Sequence, residues 1–205
     1  METPSLAIHH WPEDGVAPLW HQGLLVAAIT TPNTQDRTQA RRLVRSALVE
    51  LLAAKLGCDR ADIQLIDQPG QAVRLALPRD KGKSLGVSIS HEPGLSLLAI
   101  NLHGPIGIDL MQCPEAPPWQ TEIPQLARDY LGPDIARELA NLPPQAQALL
   151  FAKYWTQQEA RLKCLGLGLE EWSVARQQQF ARLENYALAL PAGYQGTVVA
   201  PCKAA

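Results

Sequence analysis

The order of patterns along this chain predicts an α+β fold, one compact unit made of two similar-sized halves. Three observations carry that expectation. A short apolar run, Leu24 to Ile29, is followed by a long segment of helical period. Short runs of strand character then fill the chain to Leu110. After Cys113 the texture changes: Pro114, Pro117 and Pro118 open a stretch of helical pattern, and strand-like alternation returns only in the tail. The seam falls around residues 100–115, dividing the chain into 1–103 and 104–205.

Leu24 to Ile29 is continuously apolar and ends in Thr-Pro, the mark of a buried strand. The helix that follows is expected from Asp36 to Leu56. Val44, Leu48, Leu51 and Leu52 supply its apolar stripe, Thr34 or Asp36 its N-cap, and Gly57 its stop. Its other side carries Arg37, Arg41 and Arg45 at every fourth position, with Arg42 alongside. Like charges at that spacing repel by about 0.2–0.5 kcal/mol per pair, which invites a compensating anion. Strands are expected at Ile63 to Ile66, Val73 to Leu77 and Val87 to Ser90, the last two separated by the basic turn Pro78 to Lys83. Leu95 to Leu102 and Pro105 to Leu110 read as a hairpin joined at His103-Gly104.

In the second half, helices are expected near Gln120 to Leu131, Pro133 to Leu142, and Pro143-Pro144 to Leu165. Prolines suit a first helical turn, and Gly166 and Gly168 end the last of these helices. Tyr186, Leu188 and Leu190, then Thr197 to Ala200, read as strands.

Composition excludes several classes. With 46% hydrophobic residues in 205, the chain can bury a core without metal or disulfide staples. A formal charge of −2 offers no bulk attraction to nucleic acid or to an anionic membrane, so any anion site must be a local cluster. The cysteines at 58, 113, 164 and 202 form no CxxC pair, which fits neither a zinc site nor a redox dithiol. The start, Met1-Glu2-Thr3-Pro4, is acidic where an export signal needs positive charge. The apolar run at 24–29 is too short to span a bilayer. The expectation is a cytoplasmic protein with reduced thiols and with neither nucleic acid nor membrane as a partner.

Three local patterns bear on chemistry. In Ile106-Gly107-Ile108-Asp109-Leu110-Met111, a period of two turns Gly107, Asp109 and Met111 to one face. A carboxylate on an apolar strand is either paired, bound to a cation, or at a strand end in water. In Trp155-Thr156-Gln157-Gln158-Glu159-Ala160-Arg161-Leu162-Lys163, positions 155, 159 and 163 share one helix face. Glu159 and Lys163 can be an ordinary surface pair, and Trp155 a core residue. In Val87-Ser88-Ile89-Ser90-His91-Glu92-Pro93-Gly94, a strand ends in Ser-His before a turn. A histidine there can donate to an anion or cap a carbonyl.

Taken in order, Ser90-His91, Gly107-Ile108-Asp109, Trp155-Thr156, Glu159-Ala160, Lys163 and Gly166-Leu167-Gly168-Leu169 resemble the 4′-phosphopantetheinyl transferase superfamily. The likeness is to its larger type, similar to the surfactin-synthetase activator. It implies two similar α/β lobes related by a pseudo-twofold, with coenzyme A in the cleft between them. It implies transfer of phosphopantetheine from coenzyme A to a serine of an acyl or peptidyl carrier protein, by a monomer. Asp109 and Glu159 would hold Mg²⁺, and Glu159 could also act as general base. Lys163 would touch the phosphates, while Ser90, His91, Arg42 and Arg45 would line the coenzyme A site. This chain departs from the family pattern at Met111 and Gln158, where a glutamate and a lysine are usual, and at Gln71-Ala72 after Gly70, where Lys-Pro is usual. Those departures keep an alternative open: a module that binds coenzyme A or a carrier without efficient transfer.

Overall fold

A computed structural model describes residues 4–12, 17–66, 73–77, 84–115 and 117–202. Its strands, in chain order, begin with β1 (Ser5–Leu6), β2 (Ile8–Trp11) and β3 (Leu24–Thr30). The long helix α1 (Thr38–Leu56) follows, then β4 (Gln64–Ile66), β5 (Arg74–Ala76), β6 (Gly86–Glu92), β7 (Leu95–Asn101) and β8 (Gly107–Gln112). The helical stretch holds α2 (Ile123–Leu126), which runs on into a π turn at 127–131, then α3 (Pro133–Ala140) and α4 (Pro144–Leu165). Helix α5 (Val174–Phe180) and strands β9 (Leu183–Leu188) and β10 (Tyr194–Pro201) complete the chain. The fold is α+β.

Two four-stranded sheets carry it, in the orders β2-β3-β7-β6 and β1-β9-β10-β8. Strand β3 shows why its sequence has no polar position. Leu24, Val26 and Ala28 join a core shared with residues of the second sheet, including Ile108, Leu110 and Val198. Leu25, Ala27 and Ile29 face the other way, onto Val44, Leu48, Leu51 and Leu52 of α1. A strand buried on both faces must be apolar throughout. On the outer side of the second sheet, Ala160 and Cys164 of α4 pack on Val199 of β10. From outside to outside the layers are therefore α1, sheet, sheet, α4. A separate cluster of Ile123, Ala127, Leu131, Leu139, Ala148 and Phe151 ties α2 and α3 to α4.

The C-terminal ends of the long helices match their sequence signals. Gly57 closes α1 and Gly166 closes α4, each in the left-handed conformation that a glycine accepts without cost. The N-cap of α1 is Arg37, without a side-chain cap bond, rather than Thr34 or Asp36; the Asp36 carboxylate accepts the Thr38 N–H at 2.9 Å from just before it.

Three differences from the sequence reading stand out. The hairpin expected at His103-Gly104 does not form: β7 pairs with β3 and β6, whereas β8 pairs with β10. The turn that closes a hairpin is Pro93-Gly94, between β6 and β7, where Gly94 has φ +85°. His103-Gly104 is instead the crossing from one sheet to the other. Second, β1 and β2 near the start give no strong strand signal. They pair in parallel, Ser5 opposite Ala187 and Ile8 opposite Val26, so the opening segment passes from one sheet to the other. Third, α5 lies in a stretch that showed no helical pattern. The Pro78 to Lys83 turn and the Gly70-Gln71-Ala72 departure fall outside the described residues.

Candidate active site at the seam between the sheets

Strand β6 ends beside β8 without forming a ladder with it. Two serine hydroxyls stand in for that ladder. Ile108 N–H donates to Ser88 Oγ at 3.0 Å, and Leu110 N–H donates to Ser90 Oγ at 3.2 Å. Between those two amides sits Asp109, only 6% exposed. Ser90 Oγ donates to its Oδ1 at 2.9 Å, and the Lys163 ammonium donates to the same oxygen at 2.7 Å. Lys163 also donates to the Ile108 carbonyl at 3.2 Å. A buried carboxylate costs heavily unless it is paired, and here the pairing is supplied from both neighbouring elements.

Helix α4 reaches β8 closely because Gly107 has no side chain. A Cβ there would overlap the Ala160 carbonyl oxygen and lie 2.6 Å from Cys164 N. Thr156 fixes the helix along its axis: its hydroxyl meets that of Thr197 at 3.1 Å, and Thr197 lies directly opposite Asp109 in the β8–β10 register. The Trp155-Thr156 pair thus serves packing. Trp155 stacks on Phe151 at 5.4 Å and meets the edge of Tyr130 at 5.7 Å.

Glu159, one turn before Lys163, is half-buried. Burial pushes its carboxyl above the usual range and the Asp109 charge adds to this, while Lys163 opposes. Glu92 sits in the same field: burial raises its carboxyl, Arg37 opposes and Asp109 adds to the rise. No motif in the sequence assigns Glu92 a role. The signal was available, since a period of two puts it on the β6 face of Ser88 and Ser90. Among the described residues, no three His, Cys, Asp or Glu side chains gather as a ready-made metal cage.

The opposite face of β6 looks onto α1. There His91 Nδ1 shares a hydrogen bond with Ser96 Oγ at 2.7 Å. Its pKa is held down to about 4, first by burial and then by the charges of Arg37, Arg41, Lys163 and Arg45. It is neutral at pH 7. The arginine row therefore converges on the end of β6, as its spacing of four implies. Arg42 lies about 100° round the helix from Arg41, and both bear on Asp36. So of the residues singled out from sequence, Asp109, Ser90, Lys163 and Glu159 come together at one face of β6. His91 and Arg45 lie at the other with Arg37 and Arg41, and Lys163 acts on both groups.

Met111 packs against the apolar cluster around Phe151. Gln158 is buried, 3% exposed. A groove of about 370 Å³ between α2, α3 and α4, lined by Ile123, Pro133 and Leu139 among others, includes none of the site residues.

The sequence of the second half carries a family signature as well as this geometry: residues 105–192 match the family model of the 4′-phosphopantetheinyl transferase superfamily. Over these residues the chain is similar to the members of that superfamily. The matched span contains Asp109, Glu159 and Lys163, while His91 and the arginine row precede it. The chain is also similar to the 4′-phosphopantetheinyl transferase HetI of Nostoc sp., 30% identical over 141 residues. That alignment covers 67% of this chain and 56% of the relative, so the chain matches little more than half of the relative's length. No described helix is long and apolar enough to cross a membrane. All four cysteines are free thiols.

Proposed function

We propose that this protein transfers the 4′-phosphopantetheine group of coenzyme A to a serine hydroxyl of an acyl or peptidyl carrier protein, with Mg²⁺ bound at Asp109 and Glu159. The observation that carries the reading is the division of charge across β6. The carboxylates Asp109, Glu159 and Glu92 bear on one another at one face, the cations Arg37, Arg41 and Arg45 bear on His91 at the other, and Lys163 and Arg37 act on both groups. A molecule with a pyrophosphate and a second phosphate needs such a pair of zones.

The donor set suits magnesium. Oδ1 of Asp109 is taken by Ser90 and Lys163, and Oδ2 has no partner among the described residues. Nor is Oδ2 sealed off, since the only buried side-chain atom lacking a partner among them is Trp11 Nε1. One open carboxylate oxygen and the half-buried Glu159 make two hard ligands, with phosphate oxygens and waters to fill the remaining vertices, the pattern magnesium favours. When bound, the ion supplies charge neutralisation for the departing 3′,5′-bisphosphate nucleotide.

The chain's own residues supply the rest. Glu159, whose carboxyl is raised toward neutrality, accepts the proton of the carrier serine as its oxygen attacks phosphorus. The phosphorus–oxygen bond of the pyrophosphate breaks and the nucleotide leaves. Arg37, Arg41 and Arg45 hold phosphate as forked donors, and His91 stands beside them with its Nδ1 held by Ser96 Oγ. Lys163, bonded to Asp109 and to the Ile108 carbonyl, is a point charge between the two zones.

The two-lobed, pseudo-twofold arrangement of the surfactin-activator type belongs to the same proposal, with halves 1–103 and 104–205. Apart from the β4–β5 pair and the edge strands β1 and β2, each half has a strand, a helical stretch and two further strands, the last of which lies in the middle: β3-β7-β6 and β8-β10-β9. A chain that carries both halves of its cleft would work as a monomer, in the cytoplasm where coenzyme A and carriers meet.

One observation favours a second reading. Met111 packs against an apolar cluster and, among the described residues, no three acids gather as a ready-made cage, as in a protein that binds coenzyme A or a carrier without efficient transfer. Intact-mass spectrometry separates the two. Apo carrier proteins incubated with this protein, coenzyme A and Mg²⁺ should gain the mass of one phosphopantetheine, and a no-metal control should not. Folded protein that binds coenzyme A but modifies no carrier in a broad panel would support the second reading and sink the first.

A further inference from the structure

We infer that Ser90 is a positioning residue for the metal-binding carboxylate, and not a contact to coenzyme A; the inference rests on the function proposed above. Its hydroxyl has one proton and two lone pairs. The Leu110 N–H occupies a lone pair, and the proton goes to Asp109 Oδ1. The residue is 7% exposed, so little of it can meet a ligand, and it has no second proton to give a phosphate.

The consequence is geometric. Ser90 belongs to β6 and Asp109 to β8, two strands with no backbone ladder between them. The Ser90 bond is thus what couples the carboxylate to the strand bearing His91. Together with Lys163 it saturates Oδ1 and leaves Oδ2 as the free ligand oxygen. Lys163 alone could not fix that orientation, because its ammonium sits on a flexible stem. Hydrogen-bond partners of metal ligands commonly set affinity by about 10–100-fold.

Ser88 provides a matched control. It accepts Ile108 N–H across the same seam but bonds no carboxylate. The experiment compares wild type, Ser90→Ala, Ser90→Thr and Ser88→Ala by Mn²⁺ binding in electron paramagnetic resonance, coenzyme A affinity by calorimetry, and transfer kinetics. Ser90→Ala should weaken Mn²⁺ about tenfold, leave coenzyme A affinity within about twofold, and lower kcat at limiting metal with recovery at saturating metal. Ser90→Thr should restore Mn²⁺ affinity, and Ser88→Ala should not weaken it. Equal losses in Ser90→Ala and Ser88→Ala would overturn the inference, since a loosened seam would then explain both. A fall in coenzyme A affinity at unchanged Mn²⁺ affinity would also overturn it, placing Ser90 on the cofactor. If Ser90→Ala does not fold, an Mn²⁺ affinity for Ser90→Thr equal to wild type supports the inference and a tenfold loss counts against it. Failure of wild type to bind coenzyme A or transfer the group is a different result: it removes the proposed function, and this inference with it.

Discussion

Lys163 both neutralises Asp109 and takes the Ile108 carbonyl, so its removal strips two contacts from β8 at once. Lys163→Met would leave a carboxylate 6% exposed with only a serine donor. For fully buried pairs such a loss costs about 3–5 kcal/mol. The lysine side chain is 32% exposed and water can partly replace it, so about 1–3 kcal/mol is expected in urea denaturation. Asp109→Ala should fold, and should lose metal-dependent transfer by at least about a hundredfold. Undiminished magnesium-dependent transfer in that variant would remove the metal assignment. His91 gives a pH signature. Its pKa is held down to about 4 from the ordinary 6.5, so between those values the unfolded chain binds more protons than the folded one. Its contribution is therefore fully present above pH 6.5 and is lost as pH falls toward 4. Wild type should lose more stability than His91→Gln across that window, measured as the difference in urea midpoints. Equal losses in the two would mean that His91 is not held neutral.

At the scale of elements, the closeness of α4 to β8 decides whether a site exists. Gly107→Ala places a methyl against the helix backbone at Ala160, where neither side can turn a flexible side chain away. A cost of about 3 kcal/mol or more is expected, read as a lowered melting temperature, with Lys163 moved off Asp109 and transfer reduced in step. An unaltered melting temperature would show that α4 can shift freely. The same contact shows why sequence reading stopped short here. Gly107 looked like part of a motif, yet its reason is an approach between residues fifty-three positions apart, Gly107 and Ala160. The arginine row was legible as a stripe because helical period is local. What it faces, the end of β6, was not. His103-Gly104 looked like a hairpin because two apolar runs flank a turn. The seam bonds of Ser88 and Ser90, which let β8 leave its neighbour for another sheet, carry no local signal.

The whole molecule shares one core between its halves. Leu24, Val26, Leu95 and Leu97 pack with Ile108, Leu110, Tyr186 and Val198, and β1 from the N-terminal end completes the sheet of the other half. Removing either half would expose that layer to water. Fragments 1–103 and 104–205 are therefore expected to be unfolded alone by circular dichroism, and the intact chain to melt in one transition. Two separate transitions would mean that each half holds its own core.

What the sequence determined by itself was whatever depends on near neighbours. The α+β order, the spans and glycine stops of α1 and α4, the two-faced burial of β3, and the acidic and basic positions at 109, 159 and 163 all follow from period and spacing. The ordered motifs also pointed to the superfamily that residues 105–192 match. Only the tertiary structure decided which of these residues meet. It closed Lys163 and Ser90 onto one oxygen of Asp109, brought in Glu92, and set the charges of Arg37, Arg41 and Arg45 against His91. The physical reason is the same in each case. These contacts join strands and helices that share no ladder and no period, so they are fixed by how layers pack and by which buried charge must find a partner.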